Sequence, residues 1–131
     1  MSAKIALYLL SLSVLLFSCA QSSGNQISVE EVIGAKIPEA TLVDCRTQSE
    51  IEIEGYIKGA KFIDYRSEQS EALIVALSEE IEGPVIVYCA SGGRSQKVAD
   101  RLTELGVEEV YNMDGGFNEW KNQKGPIKRL E

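Results

Sequence analysis

The sequence predicts an α/β domain in which a parallel sheet of short strands is covered by helices on both faces. Three observations carry this. Short segments that read as strands recur along the chain, at Thr41-Leu42-Val43, Lys61 to Asp64, Val85 to Tyr88 and Glu109 to Tyr111. Helix-period segments lie between them, as βαβ crossovers require. One run, Val85-Ile86-Val87-Tyr88, passes directly into the small-residue loop Cys89-Ala90-Ser91-Gly92-Gly93-Arg94-Ser95. In open parallel sheets, that position beyond the carboxyl end of a strand is where ligands bind.

The elements follow in order. Met1 to Lys4 is a short basic start, Ile5 to Phe17 an apolar stretch, and Leu16-Phe17-Ser18-Cys19 a processing site. This reads as a signal peptide over 1–18, cleaved before Cys19, because a stretch of 13 residues, two of them serines, falls short of the roughly 20 needed to span hydrocarbon. The leucine and serine placed before Cys19 resemble a bacterial lipobox, which implies acylation of Cys19 and a lipid anchor facing the periplasm; the alternative is cleavage near Ala20 and a soluble periplasmic protein. Residues 19–26 form a polar tether, and 27–131 one domain, with a monomer as the expected state. Ser28-x-x-Glu31 is a capping box opening a brief helix that Gly34 ends. Leu73, Ile74, Leu77 and Ile81 share a helix face stopped by Gly83-Pro84, and Val98, Ala99, Leu102 and Leu105 share another stopped by Gly106.

Composition narrows the function classes. With 13 basic against 20 acidic residues the net charge is −7, and nothing forms a basic stripe for nucleic acid. The chain has no histidine, which removes Cys–His catalysis and His-ligated metal sites. Its three cysteines include no C-x-x-C pair, so neither a zinc site nor a thioredoxin-like motif is expected, and no metal or organic cofactor is implied.

Cys89 has the setting of a nucleophile. A strand feeding a small-residue loop that opens a helix aims backbone N–H groups and the positive helix end at whatever occupies the loop. Lowering a thiol pKa from about 8.5 by a couple of units takes roughly 2.7 kcal/mol. A helix N-terminus supplies about 0.3 to 1 kcal/mol, so loop N–H groups and a cation must provide the rest, and Arg94 is the candidate cation. Gly92 and Gly93 clear side chains from the approach and permit a tight turn. Ser95 caps the following helix or donates to sulfur. Asp44 and Arg46, at the end of an earlier strand, read as a scaffold salt bridge supporting the site. Strand alternation turns the intervening Cys45 into the core, the alternative being a resolving thiol for oxidised Cys89. Trp120, Tyr111 and Phe117 read as core packing, and Lys97, Asp100, Arg101 and Glu104 as a solvated helix face.

These motifs, in this order, resemble the rhodanese family. Cys89-x-x-Gly92-x-Arg94-Ser95 is similar to its active-site loop, Asp44-Cys45-Arg46 to its D-x-R, Gly55-Tyr56-Ile57-Lys58-Gly59-Ala60 to its G-H-I-x-G-A, and Gly115-Gly116, Trp120 and Gly125-Pro126 to its C-terminal signature. Tyr56 stands where the family has histidine, and the stretch from Asp44 to Gly55 is one residue longer than the family spacing. The resemblance implies a three-layer fold with a central parallel sheet of about five strands. It also implies a sulfurtransferase that carries sulfane sulfur on Cys89, from thiosulfate or a similar donor to cyanide or a thiol. Four residues separate Cys89 from Arg94, one fewer than in the C-x5-R loop of cysteine phosphatases, and the smaller cradle suits a single added sulfur. The alternatives are a binding or redox-sensing module without turnover, and a thiol oxidoreductase pairing Cys45 with Cys89.

Overall fold

The computed structural model describes residues 25–131. The expected leader, Cys19 and the tether up to residue 24 lie outside the described residues. The tether as expected is too long: Asn25 and Gln26 belong to β1 (Asn25–Ile27), which pairs in parallel with β5 through Gln26 opposite Asn112 and Ile27 opposite Met113. An edge strand needs only its backbone bonds and one buried anchor, here Ile27, so its polar side chains hide it in the sequence.

The other strands are β2 (Thr41–Asp44), β3 (Lys61–Phe62), β4 (Val85–Tyr88) and β5 (Val110–Met113), and the five lie in the order β1-β5-β4-β2-β3 with every pairing parallel. Five helices alternate with them: α1 (Val29–Ile33), α2 (Gln48–Glu54), α3 (Ser70–Glu80), α4 (Gly93–Glu104) and α5 (Gly116–Asn122). The Ser28–Glu31 capping box is present at α1 with both of its reciprocal bonds. Helices α2 and α5 were not foreseen; each is a seven-residue element, too short for a helical period to declare itself.

Strand alternation divides the interior into two cores. On one face Val43, Val85, Val87 and Val110 pack with Ile74 and Leu77 of α3 and Val98, Ala99 and Leu102 of α4. On the other, Ile27, Ile86, Tyr88 and Met113 pack with Val29 of α1 and Phe117 and Trp120 of α5. All four β4 residues are buried, as expected for the central strand of a sheet covered on both sides. Burying a Val or Ile side chain fully is worth about 1.5–3 kcal/mol, so this strand alone anchors both layers. From β2 the chain moves outward to β3, whereas from β4 it moves the opposite way to β5. The sheet's switch point therefore falls between β2 and β4, and the crevice beyond their carboxyl ends receives Cys45 and Cys89.

Candidate active site

The loop after β4 is shaped from behind by α5. Phe117 N donates to Cys89 O at 2.8 Å and Asn118 N to Ala90 O at 3.0 Å, so these carbonyls are drawn toward the start of α5. That close approach requires glycine at 116: its φ is +57°, and a Cβ there would lie 2.5 Å from Cys89 O and 2.7 Å from Ala90 O. With the carbonyls held behind, the following N–H groups are free to face the sulfur. Gly92, at φ +109°, makes the turn into α4 and is its N-cap residue. Ser95 is therefore not the cap; it lies in the first turn of α4 and points at the sulfur.

Cys89 Sγ accepts from Gly92 N at 3.1 Å, Ser95 N at 3.5 Å and Ser95 Oγ at 3.3 Å. Burial alone would push this thiol up, but the hydrogen bonds from the Ser95 side chain and backbone and from the Gly92 and Ser91 backbone outweigh it and hold Cys89 below its ordinary range. The Ser95 hydroxyl also lies 2.6 Å from Asn112 Oδ1 and 3.2 Å from Gly92 O, so its single proton has three acceptors within reach, the Cys89 sulfur among them. Asn112, buried on β5, is fixed by donating to Gly92 O at 3.1 Å and Gln96 Oε1 at 3.1 Å. Sequence reasoning did not single it out; a lone asparagine among the apolar residues of β5 was the available signal.

Arg94, the candidate cation for the thiolate, is already paired. Its guanidinium forms a bidentate pair with Glu50 of α2, both contacts at 2.8 Å, with side-chain exposures of 15% and 28%. Its charge still reaches the sulfur, since Cys89 contributes to holding Arg94 protonated. The stabilisation of a thiolate accordingly falls mainly to the loop hydrogen bonds. Glu50 was missed although Thr47-x-x-Glu50 is a capping box, with Thr47 Oγ1 accepting from Glu50 N. The hydrogen bonds from Arg94 lead the causes that lower the Glu50 pKa from 4.5 to about 2. A carboxylate lowered in the folded state stabilises above its unfolded pKa, and that contribution is lost as pH falls through the folded one. We expect the stability gap between wild type and Glu50→Gln, followed by urea unfolding, to close as pH falls from 5 to about 2. A gap independent of pH would contradict the pairing.

Asp44 and Arg46 form the scaffold pair read from the sequence. Both are completely buried; Arg46 Nη2 reaches Asp44 Oδ2 at 2.7 Å and Gly55 O at 2.7 Å, and Nη1 reaches Glu54 at 3.2 Å. The guanidinium carbon sits 3.8 Å over the Phe117 ring, on the sheet face opposite Cys89. Every Arg46 donor group is thus taken by the fold. Cys45 is buried as expected and shares the Cys89 core; burial, then Asp44 and then Cys89, pushes its thiol up. Ala90 and Gly93 complete the loop, and nothing lies within 4 Å of where a Cβ at Gly93 would stand. Trp120 and Phe117 are core, as expected, with Trp120 Nε1 donating to Pro126 O at 3.0 Å. Arg101 pairs with Glu71 and Glu104 on an exposed face, also as expected. Among the described residues no acidic or cysteine cluster could hold a metal ion, and no helix is long and apolar enough to cross a membrane.

The fold is a parallel α/β sheet with one hydrogen-bonded cysteine sulfur at its switch point, where open sheets of this kind bind ligands. The chain belongs to the rhodanese-like domain family, whose model matches residues 28–123. It is 31% identical over 104 residues to the thiosulfate sulfurtransferase GlpE of Tolumonas auensis, covering 77% of this chain and 92% of that one. To the thiosulfate sulfurtransferase GlpE of Pseudomonas aeruginosa it is 31% identical over 98 residues, covering 75% and 84%. In fold it is similar to a rhodanese-related protein from Thermoplasma volcanium, with TM-score 0.68 at 23% identity over 81% of this chain and 99% of that one. It is similar also to a rhodanese-like domain from Anabaena, with TM-score 0.68 at 24% identity over 80% and 79%.

Proposed function

We propose that this protein is a sulfurtransferase that carries sulfane sulfur on Cys89. The Cys89 thiolate attacks the outer sulfur of thiosulfate, the S–S bond of the donor breaks, and sulfite leaves with the bonding electron pair. The enzyme is left as the Cys89 persulfide. An acceptor, cyanide or a thiolate, then attacks the outer sulfur and regenerates the Cys89 thiolate. The two half-reactions balance without a further redox partner.

The observation that carries this reading is the convergence of Gly92 N, Ser95 N and Ser95 Oγ on one sulfur. Donors fixed by the fold before the reaction stabilise charge without reorganising, which favours both the attacking thiolate and a persulfide anion seated in the same loop. Cys89 is only 1% exposed, so the donor must present a small terminal atom, as thiosulfate does. The 31% identical relatives named thiosulfate sulfurtransferase support the choice of donor.

A covalent intermediate between two half-reactions predicts ping-pong kinetics. Steady-state rates with thiosulfate and cyanide varied together should give parallel double-reciprocal lines. Sulfite should also appear, up to about one per chain, when thiosulfate is supplied alone. Intersecting lines, with sulfite released only when acceptor is present, would exclude the persulfide route.

A further inference from the structure

Two thiols meet at the switch point, and the mechanism above uses one. The β2–β4 ladder pairs Asp44 with Tyr88 as its last register, and Cys45 N continues it by donating to Tyr88 O at 2.8 Å. Cys45 and Cys89 are therefore the next positions on adjacent strands. Both side chains enter the same core cluster, and both cysteines are free. Neighbouring strands run roughly 4.8 Å apart, inside the roughly 4.4–6.8 Å Cα separation that a disulfide spans. The two sulfurs also sense each other, since Cys89 is among the groups that push the Cys45 thiol up. Cys45 is fully buried and Cys89 only 1% exposed, so the two thiols share one enclosed setting.

We propose that Cys45 is a resolving thiol for Cys89, closing a Cys45–Cys89 disulfide and releasing the transferred sulfur as hydrosulfide. In this form the step rests on the persulfide reading above. Cys45 sulfur attacks the inner sulfur of the persulfide, which is Cys89 Sγ; the bond between inner and outer sulfur breaks, and its electron pair leaves with the outer sulfur. The Cys45 proton passes to that departing sulfur. The sulfane sulfur is reduced to sulfide while the two cysteine sulfurs are oxidised to a disulfide, so no external oxidant enters. A thiol reductant reopens the disulfide, and the net reaction becomes reduction of thiosulfate to sulfite and sulfide. Gly92 N and Ser95 N, which donate to Cys89 Sγ, hold in place the inner sulfur that Cys45 attacks. Burial keeps the Cys45 thiol protonated until the persulfide's outer sulfur, the base beside it, takes the proton; that transfer makes Cys45 a thiolate and the outer sulfur a hydrosulfide leaving group in one place.

The test is thiosulfate added under argon to the full chain without an acceptor, with sulfite and sulfide assayed and non-reduced peptides mapped by mass. We expect about one sulfite and one sulfide per chain, a mass about 2 Da below the reduced protein, and a peptide linking Cys45 to Cys89 rather than to Cys19. Cys45→Ala, with Cys45→Val as a second packing choice, should release sulfite but no sulfide and retain a persulfide about 32 Da heavier. A persulfide equally persistent in the unsubstituted chain, with no sulfide, would overturn the proposal. Should no sulfite appear in any chain, the sulfur-transfer reading fails, and hydrogen peroxide decides the role of Cys45 by itself. Peroxide oxidises Cys89 to the sulfenic acid, from which Cys45 displaces water to give the same linked peptide. Sulfinic acid at Cys89 with no linked peptide would then overturn it.

Discussion

Cys89→Ser is expected to reduce sulfur transfer to below about a tenth of wild type while leaving the fold intact. The serine hydroxyl is smaller than the thiol and accepts the same bonds from Gly92 N and Ser95, so the loop has no structural reason to move. What is lost is ionisation and polarizability: the donors in this loop stabilise a thiolate that begins a unit or two from neutrality, whereas an alcohol lies far beyond their reach. Thiocyanate production from thiosulfate and cyanide measures the activity, and near-ultraviolet circular dichroism checks the packing around Trp120. Activity above a tenth of wild type would remove Cys89 from the role of nucleophile.

Arg46→Met is expected to destabilise the domain by about 3–5 kcal/mol, the cost of leaving one member of a buried ion pair without its partner. Asp44 is completely buried and would lose the contacts from Arg46 Nε and Nη2, while Gly55 O and Glu54 would lose theirs. A loss of that size is a large part of the roughly 5–15 kcal/mol that holds a domain of this kind together. Exchanging both partners, as Asp44→Leu with Arg46→Met, should recover most of it, because the cost lies in the orphaned charge rather than in the missing attraction. Urea unfolding of the two variants decides the matter. A single-variant loss under about 1 kcal/mol would mean that the pair is not the scaffold described here.

The parts of this molecule legible in the sequence are those whose signal is contiguous. Cys89 to Ser95 is one segment between a wholly apolar strand and an amphipathic helix, so its place, its glycines and its nucleophile could be read together. Helices α3 and α4 run for 11 and 12 residues, enough for a buried face to repeat. Helix α2 was illegible for a physical reason. Ile51 is buried but Ile53 is 73% exposed, and two isoleucines spaced by two mimic strand alternation within a seven-residue helix. Helix α5 follows a left-handed N-cap, Gly115, and opens with Gly116, a poor helix former that is required there by the backbone behind Cys89. The pairing of Arg94 with Glu50 joins residues 44 apart in the chain, and only the tertiary fold creates it. Contacts of that kind carry no local pattern, which is why the occupied state of the Arg94 fork came from the structure.

The central claim is that Cys89 carries sulfur covalently, and intact mass after thiosulfate treatment of the Cys45→Ala chain tests it most directly. That variant retains every donor to the Cys89 sulfur and lacks the neighbouring thiol that would discharge it. We predict a gain of one sulfur, about 32 Da, located on the peptide containing Cys89 and lost on adding cyanide. An unchanged mass, or a gain that cyanide does not remove, would contradict the account.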